Sequence, residues 1–178
     1  RVVFYDFSEI GKNVPNRLVG GFDDEFQGDM VPRVTYMGNP YSCAFSGKAL
    51  TFFSSRNLAS PELVEQRNIE ERIDSVFYSD EYAAAIVRNT NGEYGSRLEV
   101  YKKDGTHVLS KEFNFEYTHA DFDGDLIILY NEDSCRIYNM SGTEKFDATF
   151  DFPVSRIRKG RFPGTLVVTG RQQMQELK

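Results

Sequence analysis

Four short segments of this chain can be laid over one another: Val2-Val3-Phe4-Tyr5, Leu50-Thr51-Phe52-Phe53, Leu98-Glu99-Val100-Tyr101 and Cys135-Arg136-Ile137-Tyr138. Gln175-Glu176-Leu177-Lys178 is a degenerate fifth copy. Between fourth positions the spacings are 48, 48, 37 and 40 residues. A period of roughly 40–50 residues is that of one four-stranded propeller blade. Alternate residues of a strand face opposite sides of its sheet. One face of the four good copies therefore reads Val2 and Phe4, Leu50 and Phe52, Leu98 and Val100, Cys135 and Ile137, apolar throughout. The other face mixes Val3, Thr51, Glu99 and Arg136 with the aromatics Tyr5, Phe53, Tyr101 and Tyr138. This is the pattern of a strand with one buried and one partly wet face.

A turn with glycine at a fixed offset follows two of the copies, in Lys102-Lys103-Asp104-Gly105-Thr106 and Asn139-Met140-Ser141-Gly142-Thr143. Glycine accepts the positive φ that tight hairpins demand. A second strand comes next, Val108 to Phe115 and Glu144 to Phe152. In the earlier copies the turn expands into loops, Ser8 to Asn16 and Ser54 to Pro61, which accounts for the longer spacing. Two further strands complete each repeat. The first is Arg33 to Tyr36, Ile73 to Tyr78, Thr118 to Phe122 or Val154 to Arg158. The second is Tyr41 to Phe45, Tyr82 to Val87, Leu126 to Tyr130 or Leu166 to Thr169, nearly all apolar as befits strands covered on both faces. Ser60-Pro61-Glu62-Leu63-Val64-Glu65-Gln66 could form a helical turn, yet in register it falls where an outer strand belongs.

The expected fold is all-β, built from four-stranded antiparallel blades of a β-propeller, about four repeats, in a ring that can be incomplete. A sandwich or solenoid fits the period and the long insertions at one type of turn less well. The segmentation is an outer strand pair at about 2–23, blades at about 33–70, 72–116 and 117–152, and a partial blade at 154–178. The aromatic supply, 15 Phe and 10 Tyr with no Trp, suits strands. The lack of Trp removes the Trp-Asp signature of WD40 blades and the Trp docking motif of quinone-dependent dehydrogenase blades, so any WD40-like architecture lacks that family's signature. A kelch-type double glycine occurs once, at Gly20-Gly21.

A formal charge of −6 disfavours nucleic acid as a partner. The basic stretch Arg156, Arg158, Lys159 and Arg161 reads as a solvated face rather than a phosphate or lipid patch. No apolar run approaches the ~20 residues of a membrane span. The chain opens at Arg1 inside a strand-like run, so the expectation is a fragment of something longer, with any anchor upstream.

Val3-Phe4-Tyr5-Asp6-Phe7-Ser8-Glu9-Ile10-Gly11-Lys12-Asn13 with Leu18-Val19-Gly20-Gly21-Phe22 resembles a set of uncharacterised propeller-like proteins of Gram-positive, gut-type bacteria. So do Ser75 to Ser79, Val100-Tyr101 with Asp104-Gly105, and Tyr138 through Gly142 and Phe146. The likeness covers nearly the whole chain. It implies the C-terminal half of an extracytoplasmic propeller, anchored by one upstream membrane helix at the cell surface. It transfers no catalytic residues.

The chemistry-bearing residues read blandly. Cys43 and Cys135 sit about two blades apart, too far for a disulfide, and Cys135 reads as a small buried hydrophobe. Asp121-Phe122-Asp123-Gly124-Asp125 resembles a calcium loop, but its glycine comes early and the run overlays the strand-to-strand turns of the other repeats. His107 and His119 are the only histidines, too few for a zinc site, and no nucleophile elbow accompanies them. Gly20-Gly21 and Gly92-Glu93-Tyr94-Gly95 are not phosphate loops. Asp121, Asp123, Glu132 and Asp133 are candidates, by location, for a glycosidase carboxylate pair.

The expectation is no catalytic residue, no metal and no cofactor. The leading reading is a binding or scaffolding module whose ligand is a protein, peptide or envelope glycan. Ser8 to Asn16, Ser54 to Pro61 and Asn89 to Ser96 are the candidate contact loops, on one propeller face. A hydrolase of envelope carbohydrate and self-association through exposed blade edges are the alternatives.

Overall fold

The computed structural model describes residues 1–8, 12, 17–26, 28–89 and 93–177. It holds 17 strands in five antiparallel sheets. The first sheet pairs β1 (Val2–Tyr5) with β2 (Leu18–Phe22). The second runs β3 (Arg33–Tyr36), β4 (Tyr41–Phe45), β5 (Ala49–Ser54), β6 (Glu62–Asn68). The third runs β7 (Ile73–Tyr78), β8 (Tyr82–Arg88), β9 (Ser96–Lys102), β10 (His107–Phe113). The fourth runs β11 (His119–Asp123), β12 (Leu126–Tyr130), β13 (Ser134–Asn139), β14 (Glu144–Thr149). The fifth has three strands, β15 (Val154–Lys159), β16 (Leu166–Gly170) and β17 (Met174–Leu177). Strand order within every sheet is sequential, the meander of a propeller blade.

The period-two alternation of each second strand splits its side chains between two neighbours. In β12, Ile127 and Leu129 pack with Leu98 and Val100 of the third sheet, whereas Ile128 and Tyr130 pack with Ile157 and Val168 of the fifth. In β8, Ala84 and Ile86 face the fourth sheet while Ala83, Ala85 and Val87 face the second. Each large side chain so buried is worth roughly 1.5–3 kcal/mol, an upper figure against an extended chain. The apolar pairs Leu50/Phe52, Leu98/Val100 and Cys135/Ile137 are fully buried, each against the following sheet, and Val2 with half-buried Phe4 does the same for the first. The aromatic position on the opposite face looks back at the preceding sheet. There the Arg67 guanidinium lies 6.0 Å from the Tyr101 ring, and the Lys111 ammonium 5.6 Å from that of Tyr138.

First strands lie side by side along one edge of the stack. β7 touches β11, Ser75 Oγ and Tyr117 Oη are 2.7 Å apart, and Arg158 of β15 donates to Asp121 of β11 at 2.6 Å. Among the described residues, no core cluster joins the first sheet to the fifth.

Some local expectations change. Residues 62–66 belong to β6, not to a helical turn, because they complete the ladder of β5. The fourth strands, β10 and β14, stop at Phe113 and Thr149 rather than Phe115 and Phe152; the residues beyond lead to the next sheet. The fifth copy is shifted by one position. Leu177 pairs with Leu166 and packs toward the fourth sheet, so it takes the place of Tyr138 rather than of Ile137. Met174, at 73% exposed, lies on the other face.

Candidate functional site

Antiparallel order sends the turns to two opposite ends of the stack. Turns between first and second strands share an end with those between third and fourth strands. Ser55 N donates to Pro40 O at 2.8 Å, and Lys103 N to Glu81 O at 2.9 Å. Turns between second and third strands lie at the other end. The loop Ser54 to Pro61 is therefore on one face and Asn89 to Ser96 on the opposite one, where Gly95 N donates to Asn114 Oδ1 at 2.7 Å. A single contact face formed by the candidate loops is corrected accordingly. Most of Ser8 to Asn16, and residues 90–92, lie outside the described residues.

The four nominated acids divide the same way. Asp121 and Asp123 both lie on β11, opposite Ile128 and Leu126 of β12, while Glu132 and Asp133 form the β12–β13 turn beyond the other end of β12. From Ile128, the partner of Asp121, to Glu132 is four strand residues, about 13 Å, beyond the ~5–10 Å of a glycosidase pair. Asp121, Asp123 and Asp125 instead meet bases of the fifth sheet. Asp121 accepts from Arg158, Asp123 accepts from Lys159 N at 2.7 Å, and Asp125 pairs with the Lys159 ammonium, which holds its carboxyl below the usual range. The basic stretch is thus partly neutralised from within. Other shifted carboxyls also move down: Asp6 and Asp104 through backbone hydrogen bonds, Asp29 through the Ser46 hydroxyl, and Glu71 through Arg97. Among the described residues, no group of three or more His, Cys, Asp or Glu side chains could hold a metal ion.

His107 sits 3.1 Å from Glu99 Oε2 and meets the Tyr101 ring edge-on. Glu99 is 8% exposed and also takes Arg97 at 2.6 Å and the Ser110 hydroxyl at 2.9 Å; Arg97 reaches on to Glu71 at 2.7 Å. Serine and histidine both serve this carboxylate, so the hydroxyl proton points to Glu99 and not to imidazole. The cluster satisfies a buried charge. It went unforeseen because the sequence does not place His107 and Ser110 beside Glu99 without the β9–β10 register. His119 stacks on Tyr130 at 4.8 Å. Cys43 and Cys135 are free and buried in different interfaces, and burial pushes the Cys135 thiol up to about 11 and that of Cys43 far higher.

One cleft combines apolar and charged lining. About 550 Å³ opens between the fourth and fifth sheets, floored by Leu126, Ile137, Phe146 and Leu166. Its rim carries Asp125, Lys145, Lys159, Arg161 and Phe162, the last 60% exposed. The fifth sheet builds one wall through the β15–β16 turn, where Thr165 Oγ1 donates to Phe162 O at 2.8 Å. A second cleft, at the opposite end of the third sheet, is polar, with Asp74, Arg88, Asn89, Asn114 and Glu116.

Sequential four-stranded antiparallel sheets, each sharing a core with the next, define a protein of the β-propeller type. Solved structures agree. The chain is similar to Sqt1 of Saccharomyces cerevisiae, at 14% identity and a TM-score of 0.53 over 83% of this chain and 45% of that one. It is similar to BBS1N, in complex with ARL6DN, at 8% identity and 0.52 over 84% and 51%. Hsv2 of Kluyveromyces lactis matches at 9% identity and 0.50 over 85% and 47%. At these identities the likeness is one of fold. The chain spans about half the length of the structures it matches. No curated protein matches it in sequence. The chain belongs to a family of unknown function, DUF5711, whose model matches residues 1–178.

Proposed function

We propose that this chain is a non-catalytic binding or scaffolding module acting on the outer side of a bacterial membrane, and that it grips a protein or peptide in the cleft between its fourth and fifth sheets. The observation that carries this reading is the cleft's make-up: an apolar floor with an exposed Phe162 beside Arg161. Exposed aromatic and arginine side chains around an apolar depression are the anchors that protein partners use. Cations of Lys145, Lys159 and Arg161 against the one carboxylate of Asp125 favour an acidic ligand over a neutral glycan. The extracytoplasmic setting rests on the sequence resemblance alone. A hydrolase reading loses support because Asp121 and Asp123 are engaged by Arg158 and by the Lys159 amide, and Glu132 and Asp133 lie beyond the far end of β12.

The test compares retention of cell-envelope components by the immobilised chain and by a Phe162→Asp/Arg161→Glu variant with an unchanged melting temperature. A protein or peptide held by the first and lost by the second is the expected result. Equal retention, or release of sugar from envelope polysaccharide by the chain, would contradict the proposal.

Self-association is a second reading, favoured by Val3 and Tyr5 on the outer face of the first sheet, 37% and 54% exposed. Sedimentation across a hundredfold range of concentration checks it; a monomer throughout removes it.

A further inference from the structure

The second cleft, of about 680 Å³, falls within the roughly 300–1,000 Å³ of small-ligand sites. Both neighbours of the third sheet are four-stranded sheets that share a core with it, so the cleft is built inside the series. Asp74 of β7, Arg88 at the end of β8 and Ser96 at the start of β9 form one wall. Asn114, Phe115 and Glu116, which follow β10, form the other.

Both walls are held by bonds within the protein. Asn89 Nδ2 donates to Glu112 Oε1 at 2.9 Å, and Asn114 Oδ1 accepts from Gly95 N at 2.7 Å. A carboxylate only accepts and a backbone N–H only donates, so each amide has one possible orientation. Asn89 Oδ1 is thereby left as a spare acceptor and Asn114 Nδ2 as a spare donor. Arg136 of β13 pins the connection, donating to Asn114 O at 3.2 Å with its guanidinium 5.4 Å from the Phe115 ring. Asn131 donates to Glu116 O at 2.7 Å. Asp74 accepts from Arg88 Nε at 3.2 Å and pairs with Arg72 at 3.4 Å. Among the described residues, the Arg88 Nη groups, the Ser96 hydroxyl and the Glu116 carboxylate have no partner.

Unused donors and acceptors thus stand side by side on fixed supports. A hydroxyl donates and accepts at once, so neighbouring sugar hydroxyls can use such a set in full. A phosphate would meet the Asp74 and Glu116 carboxylates, and an ammonium would meet Arg88. An apolar peptide side chain would find no socket, since Phe113 is only 2% exposed. We propose that this cleft binds a neutral oligosaccharide, whose hydroxyls bond to Arg88, Asn89, Ser96, Asn114 and Glu116 while a C–H face of one ring lies beside Phe115. A site built to bond hydroxyls rejects analogues that lack them, because its own polar groups are then left unpaired. It is separate from the cleft between the fourth and fifth sheets and does not depend on it.

The test titrates the isotope-labelled chain with maltotriose, cellotriose and triacetylchitotriose in turn, and with inorganic phosphate and trilysine, following amide shifts. Saturable shifts of the Asn89 and Asn114 side-chain amides and of the Gly95 and Ser96 backbone, with at least one trisaccharide, are the expected result. A Ser96→Ala/Glu116→Ala variant, which loses no bond of the fold, should keep its melting temperature and bind that trisaccharide about fivefold or more weakly. The Phe162→Asp/Arg161→Glu variant should bind it unchanged, so the fate of this site and that of the peptide reading are told apart. No saturable shift with any trisaccharide at millimolar concentration, tighter binding of phosphate or trilysine, or equal affinity of the Ser96→Ala/Glu116→Ala variant would overturn the proposal.

Discussion

Gly105 and Gly142 have φ of +82° and +78°, and each packs its Cα against a side chain of the neighbouring sheet. Two separate terms therefore act on a replacement. An L-residue in the left-handed region costs roughly 1–2 kcal/mol, and forcing an extra carbon into a filled contact roughly 1–3 kcal/mol. Gly28 has φ of +73° but nothing within 4 Å of a would-be Cβ, so it isolates the first term. Urea denaturation should place Gly105→Ala about 2–5 kcal/mol and Gly28→Ala about 1–2 kcal/mol below the parent; equal losses would mean that the turn is not seated. Thr51 gives the opposite expectation. It is fully buried and its hydroxyl has no hydrogen-bond partner among the described residues. Thr51→Val keeps the shape and removes the orphan, so stability should rise by about 1 kcal/mol, and a loss of that size would show a hidden partner. The glycine offset was legible in sequence because turn chemistry is local. The unmet hydroxyl was not, since nothing nearby in the chain says which face of β5 is dry.

At the scale of strands, legibility follows burial. β4 and β12 have the bounds that their apolar runs suggested, because both faces of each are covered and the pattern leaves no slack. β14 ends early because its exposed alternate residues, Glu144, Lys145, Asp147 and Thr149, say little about where pairing stops. Charged links between elements were invisible in the same way: Arg97 bridges Glu99 of its own strand to Glu71 in the connection before β7. Glu71, Asp104 and Asp125 are all held below the ordinary carboxyl range, so each adds stability that is full above its unfolded pKa and lost as pH falls through the lower folded value. The melting temperature should stay level from pH 7 to about 5 and drop below about pH 4. Glu71→Gln should make that drop shallower; an unchanged pH profile would remove the Arg97 bridge from the account. The candidate loops were grouped wrongly for a related reason. Insertion length marks a loop as variable, whereas the end of the stack that it occupies depends on which pair of strands it joins.

Over the whole molecule, the three inner sheets work as two-sided partitions, and among the described residues the five form an ordered series in which only neighbours share a core. That series was readable from the repeat, since equivalent apolar pairs at regular spacing need a fresh surface each time. The cleft was not, because it exists only where Ile137 and Phe146, adjacent across a ladder, meet a turn from the fifth sheet. Methyl NOE spectroscopy on the chain tests the partition most directly, at three consecutive residues of β12. The account predicts contacts from Ile127 and Leu129 to Leu98 and Val100, and from Ile128 to Ile157 and Val168, with no exchange between the two sets. Contacts from Ile128 to Val100, or from Leu129 to Val168, would contradict it.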